Sequence, residues 1–200
     1  MKILLTGSSS GIGKSLKDIL QVEHTVIAPL RSELDLSSLQ SVQAIDVDCD
    51  ILVNCAGTGI GGKLPFVDHR HTDIVDIFNV NLISPVLLSQ RVLQKNPQCK
   101  IVNITSTNNN HYWPNDLVYS LTKKSLADFG KMLKTDHPDC RVLEVRVGLT
   151  KTNFNSARYQ NDPERYQDIY VYPHLDADTV ANKIVDIMFD DRVKYIEISP

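Results

Sequence analysis

Thr6-Gly7-Ser8-Ser9-Ser10-Gly11-Ile12-Gly13 stands between an apolar run, Lys2 to Thr6, and a stretch in which Ile12, Leu16, Ile19 and Leu20 recur at helical spacing. A strand, a glycine turn and a helix start in that order give the glycines a physical meaning. Gly7 permits the tight turn, Gly11 lets backbone approach a pyrophosphate, and Gly13 lets the helix pack against the strand. The unpaired N–H groups and dipole of the helix start attract phosphate. Ser8, Ser10 and Ile12 of the same loop are, with the three glycines, candidate dinucleotide contacts.

Working outward, the same alternation continues. Thr25 to Pro29 reads as a second strand and Ile51 to Asn54 as a further one. Thr72 to about Lys95 reads as a long helix with Ile74, Ile77, Phe78 and Leu82 on one side. Lys100 to Ser106 is a strand, Tyr119 to about His137 a helix, and Val142 to Val147 a strand. Asp178 to Phe189 forms a helix and Tyr195 to Ile198 a last strand. Strands alternating with helices imply parallel βαβ units. The expected fold is α/β, a Rossmann-type doubly wound, mostly parallel sheet with helices on both faces. Residues 1–200 are expected to make one dinucleotide-binding and catalytic domain.

Composition sets limits on function. A formal charge of −3 and a pI near 6.0 lack the basic excess of a general nucleic-acid or membrane-surface binder. No apolar run approaches the ~18 residues of a membrane span. The four cysteines (Cys49, Cys55, Cys99, Cys140) include no CxxC pair and read as reduced thiols of a cytoplasmic protein. Cys55 and Cys140 lie in or beside expected strands, where Cys behaves as a small hydrophobe.

The tip of the second strand bears on the choice of cofactor. Leu30-Arg31-Ser32 follows it with no carboxylate at the tip, where an acid would accept the 2′-hydroxyl of NAD. Arg31 can fork onto a 2′-phosphate and Ser32 can add a hydroxyl, which favours NADP(H) over NAD(H), although Glu33 is close by.

Further motifs follow in order: Asn54-Cys55-Ala56-Gly57, Asn79-Val80-Asn81-Leu82, Ser106 at a strand end, and Tyr119-Ser120-Leu121-Thr122-Lys123. YxxxK alone is a weak signal in a chain with 7 Tyr. In this order, with the TGxxxGxG loop, the set resembles the short-chain dehydrogenase/reductase family over nearly the whole chain. The resemblance implies hydride transfer between a nicotinamide cofactor and a small carbonyl or alcohol substrate. It makes Asn81, Ser106, Tyr119 and Lys123 the catalytic set, with Asn81 holding a water that links Lys123 to solvent. Asn54, Ala56 and Gly57 become cofactor contacts, with Tyr119 and Lys123. It also implies a homodimer or homotetramer formed through the long helix and the Tyr119 helix.

The chemistry of these residue types agrees. Residues four apart share a helix face, so Tyr119 and Lys123 can meet beside one ligand. A neighbouring ammonium and the cationic oxidised nicotinamide would favour the phenolate and bring the tyrosine towards the working pH range.

Three departures from the family pattern stand out. Asp35-Leu36, similar to the family's adenine-contacting third strand, follows the second strand too closely for an intervening helix. The PG-x-x-x-T segment appears as Val147-Gly148-Leu149-Thr150-Lys151-Thr152, keeping Gly148 and Thr152 for the nicotinamide carboxamide. The substrate-covering stretch, roughly residues 153–175, is short, polar and tyrosine-rich, and reads equally as a mobile lid or a fixed loop. The loop Asn108 to Asn115 should border substrate, with His111 a surface histidine or an extra acid–base group. His69 and His71 form an HxH pair with no third ligand nearby, so no metal site is expected. Two other readings remain: a catalytically idle NAD(P)-binding sensor, and an epimerase or dehydratase on a nucleotide sugar, for which little chain is left.

Overall fold

The structure, a computed structural model, describes residues 1–109, 113–159 and 163–200. Six strands form one sheet: β1 (Lys2–Leu5), β2 (Thr25–Ile27), β3 (Ile51–Asn54), β4 (Lys100–Ser106), β5 (Arg141–Val147) and, last in the chain, β8 (Tyr195–Ile198). Their order is β2-β1-β3-β4-β5-β8, and every neighbouring pair is parallel. This is the doubly wound parallel sheet expected from the alternation of strand and helix.

The strand sequences are continuous apolar runs because both faces are covered. Side chains alternate across the sheet, so Ile3 and Leu5 enter one core and Leu4 the other. The first core packs α1 (Gly11–Leu20) and α8 (Ala177–Met188) through Leu16, Leu20, Val180 and Ile184. The second packs α2 (Leu39–Ala44) and α4 (Ser84–Lys95) through Val42, Leu88 and Val92. Fully burying one such side chain contributes about 1.5–3 kcal/mol.

The expected long helix is one rod in three parts. α3 (His71–Phe78) leads through a π-helical turn at Asn79–Ile83 into α4. Pro85 has no N–H to donate four residues back, and the hydrogen-bond ladder changes register just ahead of it. His71–Lys95 is long and apolar enough to cross a membrane by length and composition. Its buried Ile77, Leu88 and Val92 pack inside the protein, and its buried polar Asn81, Ser84 and Ser89 have protein hydrogen-bond partners. It is a core helix.

One part of the fold corrects the sequence reading. β2 ends at Ile27, and no strand occurs between it and α2, so Asp35-Leu36 is not a third strand. Asp35 Oδ1 accepts from Ser37 N (2.9 Å) and Ser37 Oγ (2.7 Å), a local turn that competes with strand pairing. Ser38 then caps α2 by accepting from Ser41 N at 3.3 Å. The long-helix rod pins this loop through Asn79 Nδ2 to Ser37 O (3.0 Å) and Ser84 Oγ to Leu36 O (2.7 Å).

α5 (Leu117–Asp136) starts just ahead of Tyr119. After β5 the chain makes β6 (Thr150–Lys151), α6 (Asn153–Arg158), α7 (Pro163–Asp168) and β7 (Leu175–Asp176). β6 and β7 pair parallel and tie together the two ends of this segment. All four cysteines are free thiols, and Cys49 Sγ lies 3.7 Å from Cys99 Sγ, a proximity that their spacing in sequence does not announce.

Candidate active site

A cleft of about 1200 Å³ lies at the carboxyl ends of the strands, where an open parallel sheet holds its ligands. Of the site residues expected from sequence, all but Ser32, Asn54 and Asn81 line it.

The glycine loop crosses its floor. Gly7 has a left-handed φ of +74°, and a Cβ there would stand 2.6 Å from Ala56 Cα. A Cβ at Gly13 would stand 2.1 Å from the Gly7 carbonyl oxygen, so Gly13 lets α1 meet the turn itself rather than the strand. Thr6 Oγ1 accepts from Cys55 N and Ala56 N, both at 3.2 Å, and ties the loop to the end of β3. Thr152 packs onto Gly11, its Cγ2 lying 3.0 Å from where a Cβ would be. Gly148 N donates to Ile198 O at 2.8 Å, which fixes the opposite wall. This narrow backbone cradle at a helix start suits a pyrophosphate.

The chemistry-bearing set gathers beside it. Ser106 ends β4, accepts from Asn108 N at 3.2 Å, and lines the cleft together with Tyr119. Lys123, one turn after Tyr119, is buried and donates to Ile104 O at 3.0 Å. Desolvation pushes Tyr119 up to about 12, with the nearby Ser106 hydroxyl pulling the other way. Desolvation pushes Lys123 down to about 8 and the adjacent Cys55 thiol up to about 11. In the protein alone, burial thus holds the Tyr119 phenol above its ordinary value rather than below it.

Asn81 lies behind the cleft wall. The π turn aims it at the loop after β3, where Oδ1 accepts from Thr58 N (2.8 Å) and Nδ2 donates to Thr58 O (2.9 Å) and Thr122 Oγ1 (3.2 Å). A Cβ at Gly57 would stand 3.4 Å from Lys123 Nζ and 3.7 Å from Asn81 Oδ1, so both polar groups sit directly behind that glycine. Asn81 here holds backbone, with both amide hydrogens used.

Two expected cofactor residues are placed elsewhere. Asn54 is buried and donates to Asn103 Oδ1 at 2.9 Å, tying β3 to β4 instead of facing the cleft. Side chains alternate along a strand, so Asn54 points inward while the residues that follow reach the cavity. Ser32 is exposed in the turn after β2 and lies off the cleft wall. Arg31 lines the cleft with its side chain 80% exposed, its Nε 3.5 Å from Asp35 Oδ1.

Sequence reasoning missed Arg158 and Asp116. Arg158 is buried, pairs through Nη2 with Asp116 Oδ1, and lays its guanidinium 4.3 Å from the Tyr119 ring centre and 5.7 Å from that of Phe154. Asp116 Oδ2 also accepts from Asn108 Nδ2 at 2.6 Å and faces Lys63 Nζ at 3.6 Å. The one local signal was Phe154 and Arg158 at (i, i+4) spacing. The partner carboxylate is 42 residues away in sequence. From the loop expected to border substrate, Asn108 and Trp113 line the cleft, while His111 lies outside the described residues.

Comparison with known proteins places this arrangement. An NADP-dependent 3-hydroxy acid dehydrogenase of Schizosaccharomyces pombe is 27% identical over 207 residues, covering 84% of this chain and 78% of that one. A 3-ketodihydrosphingosine reductase of Bacteroides thetaiotaomicron is 28% identical, covering 78% of this chain and 66% of its own. Among solved structures, a serine dehydrogenase in complex with NADP+ superposes with a TM-score of 0.85 at 23% identity, covering 99% of this chain and 94% of that one. A 4-hydroxyisoleucine dehydrogenase in complex with NADH gives 0.82 at 20% identity, covering 99% and 96%. At that identity the superpositions speak for the fold alone. A family model described as short chain dehydrogenase matches residues 37–163, and with more than half its length matched this chain belongs to the short-chain dehydrogenase family, oxidoreductases acting on CH–OH and C=O groups.

Proposed function

We propose that residues 1–200 act as one unit that interconverts a small carbonyl and its alcohol with NADP(H), using Tyr119 as general acid and base. The observation that carries this reading is the meeting of Tyr119, Ser106 and Lys123 on the wall of one cleft, with Lys123 buried one helical turn after Tyr119. Bound NADPH supplies the hydride for the carbonyl carbon. Tyr119 gives its phenolic proton to the carbonyl oxygen, leaving the alcohol and a phenolate. Ser106 donates a hydrogen bond to that oxygen as its charge grows. Lys123, held by Ile104 O, stabilises the phenolate, and Asn81, which lies with it behind Gly57, braces the backbone at Thr58.

NADP(H) is favoured over NAD(H) by Arg31 on the cleft wall and by the relatives named as NADP-dependent. The glycine cradle, with Ala56 and Gly57 facing it and Gly148 and Thr152 closing it, would hold the dinucleotide. The free thiols suit a reducing, cytoplasmic setting. Leu117, Leu121 and Met132 are exposed on α5, a face for pairing with a second copy, which light scattering would read as a dimer or tetramer mass.

The test is a fluorescence titration with NADPH and NADH followed by a carbonyl screen. Tighter NADPH binding with turnover that Tyr119→Phe abolishes is the expected result. Tight binding without turnover of any carbonyl would overturn catalysis in favour of a cofactor sensor.

A further inference from the structure

We propose that Arg158 is a positioning residue for Tyr119: stacked on the phenol ring from α6, its guanidinium fixes the plane of the ring and stabilises the phenolate that proton transfer leaves behind. The proposal rests on the reading of Tyr119 as general acid and base and adds a residue to it. Its first ground is geometry. The guanidinium carbon lies 4.3 Å from the centre of the Tyr119 ring and 5.7 Å from that of Phe154. The Phe154 ring itself meets Tyr119 at 5.4 Å between centres and 46° between planes. Phe154 and Arg158 stand four apart on α6 and share a face, so one turn of helix presents both groups to the tyrosine. Gly59 leaves room for this clamp: a Cβ there would stand 3.1 Å from Arg158 Cγ and 3.4 Å from Phe154 Cζ. The guanidinium is held at its edge as well, because Asp116, just ahead of α5, takes Nη2 of Arg158.

Its second ground is the charge at the ring face. Arg158 and Asp116 make a pair that is neutral overall, with side chains 8% and 2% exposed, and the end of the pair that lies on the ring is the cation. A phenol offers that cation only the negative face of its π system, whereas a phenolate spreads a full charge into the ring. The stack therefore strengthens as Tyr119 loses its proton, and little water is present to screen it. Burial pushes Arg158 down to about 10, so it is still charged where Lys123, pushed down to about 8, gives up its proton. The other titratable groups at this corner are the Cys55 thiol beside Lys123, Lys63 against Asp116, and Tyr159 beside Arg158. Burial pushes Cys55 up to about 11 and keeps it neutral across the same range.

NMR on the NADP+-loaded protein, with its tyrosines isotope-labelled at the phenolic carbon, reads the ionisation of Tyr119 without turnover. The Tyr119→Phe variant assigns the resonance. Arg158→Met keeps a long apolar stem and removes the charge, and it should raise the midpoint of Tyr119 ionisation by about one pH unit. Arg158→Lys should restore part of that shift. Losing the cation strands a buried carboxylate and weakens the fold, so Arg158→Met is also made together with Asp116→Asn, and the midpoint should move the same way. In reaction, oxidation of the alcohol matching the fastest ketone of the carbonyl screen should fall about tenfold in Arg158→Met below the midpoint and recover above it. Loss of a mere brace would lower the rate by one factor at every pH and leave the midpoint where it was, which overturns the proposal. A midpoint unchanged in the double variant overturns it too. A midpoint that moves with Arg158 in a protein that turns over no ketone or alcohol would uphold the stack and sink the dehydrogenase reading instead.

Discussion

The two ends of the cleft are built in opposite ways. At the β4–α5 end the polar groups are largely braced: Ser106 to Asn108, Lys123 to Ile104, Asn81 to Thr58 and Thr122, Arg158 to Asp116. At the β2 end Arg31 stands 80% exposed beside an Asp35 that is mostly occupied with Ser37. Groups that must act on a reacting atom need a fixed position, and bracing them reduces the reorganisation left for the reaction. A group that attracts a phosphate from the edge can remain mobile and solvated, at a smaller gain per contact.

The largest expected effect attacks the braced end at its centre. Tyr119→Phe should lower kcat about 10²- to 10⁴-fold while NADPH affinity stays within a few-fold, read by steady-state kinetics beside a fluorescence titration. A variant retaining wild-type turnover would remove Tyr119 from the chemistry.

pH sharpens the same contrast. Tyr119, pushed up to about 12, keeps its proton through the neutral range, so it does not limit carbonyl reduction there. Lys123, pushed down to about 8, loses its charge as pH rises through that value. Reduction should hold below pH 8 and decline above it, and Lys123→Met should show lower activity with no inflection near 8. In stability the sign follows from the depressed lysine. Between its folded value of about 8 and its ordinary value of 10.5 the unfolded chain binds more protons, so stability rises with pH across that window and is lost as pH falls through 8. The Lys123→Met melting curve should be flatter there.

Asn54 and Arg31 separate structure from binding. Asn54→Ala strands the buried Asn103 oxygen and should cost about 1–3 kcal/mol of stability, measured by denaturant unfolding, with little change in NADPH affinity. A large loss of affinity at unchanged stability would return Asn54 to the cofactor site. Arg31→Ala should do the reverse: stability within about 0.5 kcal/mol and NADPH weakened by roughly tenfold, with NADH scarcely altered. Equal loss for both cofactors would detach Arg31 from the 2′-phosphate.

The same division marks what could be read in advance. Alternation of apolar runs with helical periodicity is local, and so is the turn chemistry of Gly7. Those features carried the parallel sheet, the cradle at the start of α1 and the face shared by Tyr119 and Lys123. The reading failed where local bonding outcompeted a family pattern, as at Asp35, whose side chain turns the chain back before a strand can form. It failed again at Asn54, where strand alternation turned a motif residue into the interior.

By itself, then, the sequence determined the alternation of the sheet strands with their main helices, because each obeys a period of about 2 or 3.6 residues that a short window displays. It also determined which side chains could carry proton chemistry. Only the tertiary structure decided which groups meet: Asn54 with Asn103, Asn81 with Thr58, and Arg158 with Asp116, separated by 49, 23 and 42 residues. The physical reason is that such pairs are fixed by how strands register and helices pack, and the burial that sets the charges of Tyr119, Lys123 and Arg158 exists only once that packing is complete.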